Sequence, residues 1–437
     1  MGFKFKCLYD KNTFRRFFLQ DADKKRPNVE NKSIIWGEVV SKPKVFEKPA
    51  GVKDYMPEAV SKLRHIEYEV LDCMERWGYS QIITPTLEYY DTVGMASSTE
   101  DRRLFKLLDR NGTTLVLRSD ITAPIARVVS SLLKDEPLPL RLSYHSNVFR
   151  AIEAEAGRDA EFFQTGMELV GDASSEADAE VIALAVACLQ AAGVHTFKIA
   201  LGHVGFLNGL LSERLKGREE AQTELKECLL NKDYVGYRDK LKSLNLGSEA
   251  QAELEGLLRL RGGEEICRQA QQLTADPVAQ EAIEHLCQVW SVLEAYGVSE
   301  HVSIDLTMIG DFSYYTGMTF EGYAADLGFP VCSGGRYDNL LGQFGRPAPA
   351  TGFALKTNRI MEVVSKGPAA LPQCTLIAYT AVNRTHALRS AMDMRASGGQ
   401  PVETRLVRDS ESWSVEELAS GAYRVQGKLY RQVIEFL

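Results

Sequence analysis

A chain of 437 residues with 45% hydrophobic and 25% charged side chains carries enough apolar material for two or three packed domains, in the balance ordinary for soluble globular proteins. Its net charge of -8 argues against a broad surface for nucleic acid, leaving room only for a local basic patch. No stretch reads as a membrane span or a signal peptide. The eight cysteines are scattered, without a CxxC pair or zinc-ligand spacing, which reads as reduced thiols in a cytoplasmic protein.

Residues 1–44 form a leader rich in Lys and Arg, with FRRFF from Phe14 to Phe18 and no sustained period. A disordered segment is the main expectation and a basic arm touching RNA or a partner the alternative. From Lys48 a Gly/Pro turn leads into a helix whose stripe is Val60, Leu63, Glu67, Val70, Met74 and Trp77, ended by Gly78. YSQIITPTLEYYD then reads as a strand stopped at Pro85. The dipeptide Asn111-Gly112, between strand-like runs 105–109 and 114–118, signals a hairpin that delivers the chain to Arg118 and Asp120. Asp120 reads either as the cap of a helix starting at Thr122 or as an acceptor for a ligand's ammonium group.

RLSYHSNVFR is a strand ending on Arg150, whose guanidinium suits a carboxylate or phosphate. In EFFQTGMELVG, period two puts Phe162, Gln164, Gly166 and Glu168 on one face, so two polar side chains flank a glycine that leaves room for a ligand. Together with Thr122 these groups suit a free amino acid with a polar side chain. Ser174-Ser175 with Asp178 resembles a capping box before an Ala-rich helix running to about Ala192. FKIALGHVG is a strand, and from about Leu211 to Tyr296 the pattern is helical, either as packing alone or as a face for a partner. Two Gly-rich strand segments follow, containing Tyr314-Tyr315 and Gly334-Gly335-Arg336-Tyr337-Asp338. The tail from about Pro372 reads as strand, helix and strand, then a short acidic helix and a closing strand near Val433 to Phe436. His145, His203 and His386 have no partners at catalytic or metal spacing, and neither a P-loop nor a GxGxxG motif is present.

On these residues, from about Phe46 to about Ser365, the chain resembles the class II histidyl-tRNA synthetase core. The resemblance implies an α+β fold: an antiparallel sheet of the class II aminoacyl-tRNA synthetase type flanked by helices, with a helical insertion and a small α/β C-terminal domain. The implied boundaries are 45–210 and 301–366 for the core, 211–300 for the insertion and 372–437 for the C-terminal domain. The first helix, strand and proline stand where the family has its dimer-forming motif, implying a homodimer. LRSDIT resembles the family's L-R-P-E-G-T, which tips Asp120 toward the ligand's α-amino group with Thr122 beside it. VFR resembles the second class II motif, implying a carboxylate or phosphate role for Arg150. Gln164 and Glu168 fall at histidine-pocket positions, as do Tyr314, Tyr315 and Tyr337, with Thr319, Phe320 and Glu321 also matching.

Three positions depart from the synthetase pattern. Ile152 stands where an adenine-reading glutamate belongs, Gly310 where a catalytic arginine belongs, and Lys356 where a glycine lies under the adenine. Lys356 reads as an obstruction to the ring, the alternative being a phosphate contact. A chain that keeps the histidine pocket and loses adenylate chemistry is similar to the synthetase paralogues that serve ATP phosphoribosyltransferase as regulatory subunits. That resemblance implies a non-catalytic subunit, without a cofactor, partnered by a short catalytic subunit in the first step of histidine biosynthesis, with L-histidine as effector. The abbreviated C-terminal tail argues against specific tRNA reading. The alternatives are an active histidyl-tRNA synthetase and a synthetase-like histidine-sensing module.

Overall fold

The computed structural model describes residues 47–151, 159–308, 315–325, 327–364, 374–408 and 410–437, with the backbone of 33–35 and 38–40. The chain divides into two compact units, Met1–Asp54 with Ile152–Glu161, and Tyr55–Ala151 with Phe162–Leu437. In the first, strands β1 (Ser33–Ile35) and β2 (Glu38–Val40) pair antiparallel. Lys53 there forms an ion pair with Asp159 at 2.7 Å, and the Ala160 N–H donates to the Gly51 carbonyl. The rest of the leader, expected to be disordered, lies outside the described residues.

The second unit opens with helix α1 (Pro57–Arg76), started by Pro57 in the first turn, where its missing N–H costs nothing. Leu63, Ile66, Val70, Cys73 and Met74 are its buried stripe. Val60, expected in that stripe, is exposed, and Ile66 with Cys73 takes the inward face instead. The helix ends at Gly78, whose φ of +85° suits a residue without a side chain. Two short strands follow on either side of Pro85, β3 (Ser80–Gln81) and β4 (Leu87–Tyr89). The Asn-Gly hairpin forms as β5 (Lys106–Leu108) and β6 (Thr114–Leu117), with Asp109 Oδ1 accepting from the N–H groups of Asn111 and Thr113 at 2.8 Å each. β6 also pairs with β4, and the chain then enters helix α2 (Thr122–Ser131).

The scaffold of the site is a larger sheet. It contains β7 (Leu140–Phe149), β8 (Glu161–Val170), β9 (Phe197–His203), β10 (Arg261–Gly262), β11 (Val302–Asp305), β12 (Met318–Ala324), β13 (Cys332–Arg336) and β14 (Ala350–Lys356). With β3 at one edge, the order among the described residues is β10-β11-β9-β12-β13-β14-β8-β7-β3. The run β9-β12-β13-β14-β8 is antiparallel throughout.

Helix α3 (Ser175–Ala191) is apolar on nearly every face, as a helix covered on all sides must be. It packs against α1, β14 and the helix over Pro277–Ala295. Ser174 caps it, accepting from the Ala177 N–H at 3.2 Å. Asp178 is not the second half of a capping box: it is fully buried, and its two oxygens accept from Arg336 Nε and Nη2 at 3.0 Å each. Helices α4 (Val204–Arg214), α5 (Glu219–Leu230), α6 (Tyr234–Ser243), α7 (Ser248–Gly256), α8 (Glu265–Leu273) and α9 (Pro277–Ala295) follow. Of the apolar residues that give this stretch its helical pattern, Leu225, Leu229, Leu241, Leu254, Leu257, Leu286, Val289 and Leu293 are buried in the same core as α1 and α3, and Leu258 is only partly buried against it. His285 on α9 places Nε2 3.3 Å from Asp178, so one buried carboxylate ties the sheet to α3 and α9.

After helix α10 (Thr357–Val363), the C-terminal segment forms β15 (Thr375–Tyr379), α11 (Arg384–Ala396) and β16 (Val402–Leu406). No helix occupies the acidic stretch expected to hold one. Glu416–Glu417 is instead strand β17, which pairs with the hairpin β18 (Tyr423–Val425) and β19 (Lys428–Tyr430). Gly421 and Gly427, at φ +76° and +80°, make the turns that a helix cannot accommodate. The closing strand β20 (Gln432–Phe436) runs parallel to β15. None of the described helices is long and apolar enough to cross a membrane.

Burial alone would raise the pKa of Asp178, but hydrogen bonding from His285 and the charge of Arg336 hold it below the carboxylate range. Replacing Arg336 by Met leaves that charge buried with too few donors, so R336M is expected to lose about 3–5 kcal/mol in urea unfolding. Adding Asp178→Asn to R336M should recover most of the loss, and equal stability of R336M and wild type would contradict this role.

Candidate functional site

Directly opposed residues of an antiparallel ladder share a face, so the strand register lays out the floor of the site. Glu168, Gly352, Gly335 and Thr319 form one row across β8, β14, β13 and β12. Gly166, Ala354, Ser333 and Glu321 form the next, and Gln164 faces Lys356 in a third. The middle of this floor is small and its margins are polar.

The glycines make room for the site's own walls. A Cβ at Gly352 would collide with Glu168 Oε2, and one at Gly335 would lie 2.9 Å from the Tyr315 ring. A Cβ at Gly166 would stand 2.5 Å from the Tyr144 hydroxyl oxygen. The space over Gly166, expected to receive a ligand, is therefore occupied by Tyr144 and the Phe353 carbonyl.

A cleft with about 760 Å³ of unfilled space, part of it open to solvent, lies on this floor. Asp120, Thr122, Arg150, Gln164, Glu168, Tyr315 and Tyr337 all line it. Tyr314, Gly310, Ile152, Glu153 and Arg158 lie outside the described residues. Both readings of Asp120 have a basis: Oδ1 accepts from the Ala123 N–H at 3.0 Å, as a helix cap does, and the side chain also faces the cleft. Ser97 donates to its other oxygen. Arg150 donates from Nε to the Ser119 carbonyl at 2.9 Å and lies over the Phe162 ring, which aims its fork by a backbone contact and a cation–π contact.

Glu168 is the most deeply buried carboxyl group of the cleft, 2% exposed. Thr122 Oγ1 donates to Oε1 at 2.8 Å and the Tyr337 hydroxyl donates to Oε2. Burial pushes its pKa up to about 8, further raised by the charge of Asp120 and opposed by the two hydroxyl donors. A neutral carboxyl can both give and take a hydrogen bond. An imidazole ring, with one donor and one acceptor nitrogen, matches that capacity.

Several lining residues had no assigned role: Tyr144, Met308, Ser333 and, despite its motif match, Glu321. Glu321 accepts from the Tyr323 hydroxyl, which receives a hydrogen bond from Lys232 at 2.9 Å. Tyr144 sits on the buried face of β7 with Leu142 and Val148, and a hydroxyl on so apolar a face was the available signal. The three histidines do structural work. His145 pairs with Thr165 at 2.7 Å, His203 accepts from the Gly205 N–H at the start of α4, and His386 meets the edge of Phe436. Among the described residues no group of three or more His, Cys, Asp or Glu side chains is placed to hold a metal ion.

This fold has counterparts among known proteins. A family model described as histidyl-tRNA synthetase matches residues 51–360, and the fold is of the class II histidyl-tRNA synthetase type. A histidyl-tRNA synthetase structure from Nostoc, at 18% identity and a TM-score of 0.71, covers 89% of this chain and 96% of its own, and shares that fold. A protein of Halalkalibacterium halodurans named ATP phosphoribosyltransferase regulatory subunit is 47% identical over 364 residues, 82% of this chain and 90% of the relative. The Bacillus subtilis protein of the same name is 45% identical over 358 residues, 82% and 91% of the two chains. A crystal structure from Bacillus halodurans, titled as an ATP phosphoribosyltransferase regulatory subunit/histidyl-tRNA synthetase, superposes with a TM-score of 0.81 at 44% identity, covering 90% of this chain and 99% of that one. The chain belongs to the family of ATP phosphoribosyltransferase regulatory subunits.

The raised pKa of Glu168 makes a pH-dependent contribution of defined sign. The fold favours the protonated form, so the contribution is complete below the ordinary value of 4.5 and is lost as pH rises through about 8. Glu168→Gln, which cannot ionise, should gain on wild type across that window by about 3–5 kcal/mol at its alkaline end. Thermal unfolding of both proteins between pH 5 and 9 measures the difference, and a constant offset would remove the ionisation of Glu168 from the account.

Proposed function

We propose that the chain is the non-catalytic regulatory subunit that makes a short ATP phosphoribosyltransferase both active and sensitive to L-histidine. The observation that carries the histidine assignment is the convergence of Asp120, Thr122, Arg150, Gln164, Glu168, Tyr315 and Tyr337 on one cleft. In this reading Asp120 takes the α-amino group and Arg150 the carboxylate. Glu168 and Gln164 address the imidazole, walled by Tyr315 and Tyr337. The regulatory-subunit names of the relatives support the partnership with a catalytic chain.

Adenylate chemistry is lost in this reading. Lys356 lines the cleft where the synthetase pattern has a glycine, and Ile152 and Gly310 replace residues that chemistry needs. A preorganised cation lost at a developing phosphate charge costs orders of magnitude in rate. Regulation is then linkage: a tenfold preference of histidine for the inhibited assembly shifts the equilibrium by about 1.4 kcal/mol per site. Homodimerisation fits the three-stranded sheet β4-β6-β5, where Leu87, Tyr89, Leu107 and Leu108 are exposed.

Glu168→Ala is expected to raise the histidine concentration needed for half-inhibition of the assembled phosphoribosyltransferase at least tenfold, with assembly unchanged by size-exclusion chromatography and light scattering. An unaltered inhibition curve would remove this cleft as the effector site.

A further inference from the structure

The two tyrosine walls of the cleft are tied to one residue beneath the sheet. Tyr337 follows Arg336 directly, and its hydroxyl donates to Glu168 Oε2. Tyr315 precedes Thr316, whose N–H donates to the Arg336 carbonyl at 2.8 Å. The Asp338 N–H returns to Thr316 Oγ1 at 3.0 Å, closing a loop of hydrogen bonds between the two segments. Gly317 lets Arg336 lie this close, since a Cβ there would stand 3.1 Å from Arg336 Cδ. The placement of Arg336 therefore bears on both rings at once.

Gly335 faces the cleft, so the next side chain on β13, that of Arg336, points to the opposite side of the sheet. There both oxygens of Asp178 accept from it, and Asp338 Oδ1 and the Asp172 carbonyl accept from Nη1 at 3.2 and 3.1 Å. Asp178 Oδ2 has one more neighbour, Nε2 of His285 on α9, at 3.3 Å. The bidentate pair fixes Arg336 against Asp178, and the imidazole fixes that pair against α9. The ring of His285 is itself aligned by the edge of His203, 5.5 Å away between centroids, and His203 Nδ1 accepts from the Gly205 N–H at the start of α4. Beside it, the Val204 N–H donates to the Gly317 carbonyl at 3.0 Å. Helices α4 and α9 thus both reach the segment that carries Tyr315, the first directly and the second through Asp178 and Arg336.

We infer that His285 is a positioning residue for the effector: from α9, through Asp178 and Arg336, it holds Tyr315 and Tyr337 at the spacing the ligand's ring requires. This role rests on the histidine reading of the cleft and brings the helical segment into recognition. Walls held in place before the ligand arrives spare it the cost of ordering them, so the contact contributes to affinity and not to stability alone.

The test is calorimetric titration of the full chain with L-histidine, alongside thermal unfolding. His285→Leu removes the donor to Asp178 and is expected to weaken L-histidine about fivefold or more. His285→Gln, whose amide nitrogen can stand where Nε2 does, is expected to stay within about twofold of wild type. His285→Asn, too short to reach Asp178, should weaken binding as H285L does, and it carries the comparison should H285L fail to fold. Leu293→Ala opens a cavity in the buried face of the same helix, about 12 Å along it from His285. It is expected to lower the unfolding temperature at least as much as H285L while leaving histidine affinity within about twofold. Unchanged affinity in both H285L and H285N, or equal weakening in L293A, would overturn the positioning role. Glu168→Gln in parallel separates the two claims. Weakened binding in E168Q with indifference to the His285 variants overturns the His285 role alone, whereas no histidine binding by wild type overturns both.

Discussion

The pairing of Glu168 with Gly352 across β8 and β14 is the constraint on which the site depends. A carboxyl this deeply buried is tolerated only if its surroundings make room for it and satisfy its oxygens. Gly352 provides the room, since any side chain there would meet Glu168 Oε2. Thr122 at the start of α2 and Tyr337 just beyond β13 provide the donors. Three separate segments are thus brought into register around one group. A shift of one residue in β8 would turn Glu168 and Gln164 away from the cleft together.

Helix α3 brings a second buried acidic side chain against the same sheet. Asp178 meets Arg336 and His285, and Arg336 immediately precedes Tyr337 in the chain. The wall of the cleft is therefore anchored through its neighbour to α3 and α9. This gives the helical segment a physical connection to the site without any residue of α9 lining it.

Much of this was legible in the chain because short-range rules governed it. The hairpin at Asn111-Gly112, the end of α1 at Gly78 and the alternation in β8 follow from turn chemistry and period two, and the structure keeps all three. Motif spacing picked out Asp120, Arg150, Gln164, Glu168, Tyr315 and Tyr337, distant in sequence, and in the structure they line one cleft. What escaped was long-range. Nothing near Asp178 in sequence announces Arg336, 158 residues away, so a local cap was the only available reading. Gly166 was read as space for a ligand because its cross-strand neighbour Tyr144 cannot be located from period alone. The acidic tail failed for a different reason: Glu-rich composition favours helix, but the turns at Gly421 and Gly427, on either side of β18, override it.

The central claim is that this chain confers both activity and histidine sensitivity on a separate catalytic subunit. The direct measurement is phosphoribosyl-ATP formation by the purified short catalytic subunit, with and without this chain, each with and without L-histidine. The account predicts turnover that depends on the chain and falls when histidine is added. Rates indifferent to the chain, together with robust histidine-dependent ATP–pyrophosphate exchange by the chain alone, would contradict it and indicate an active synthetase.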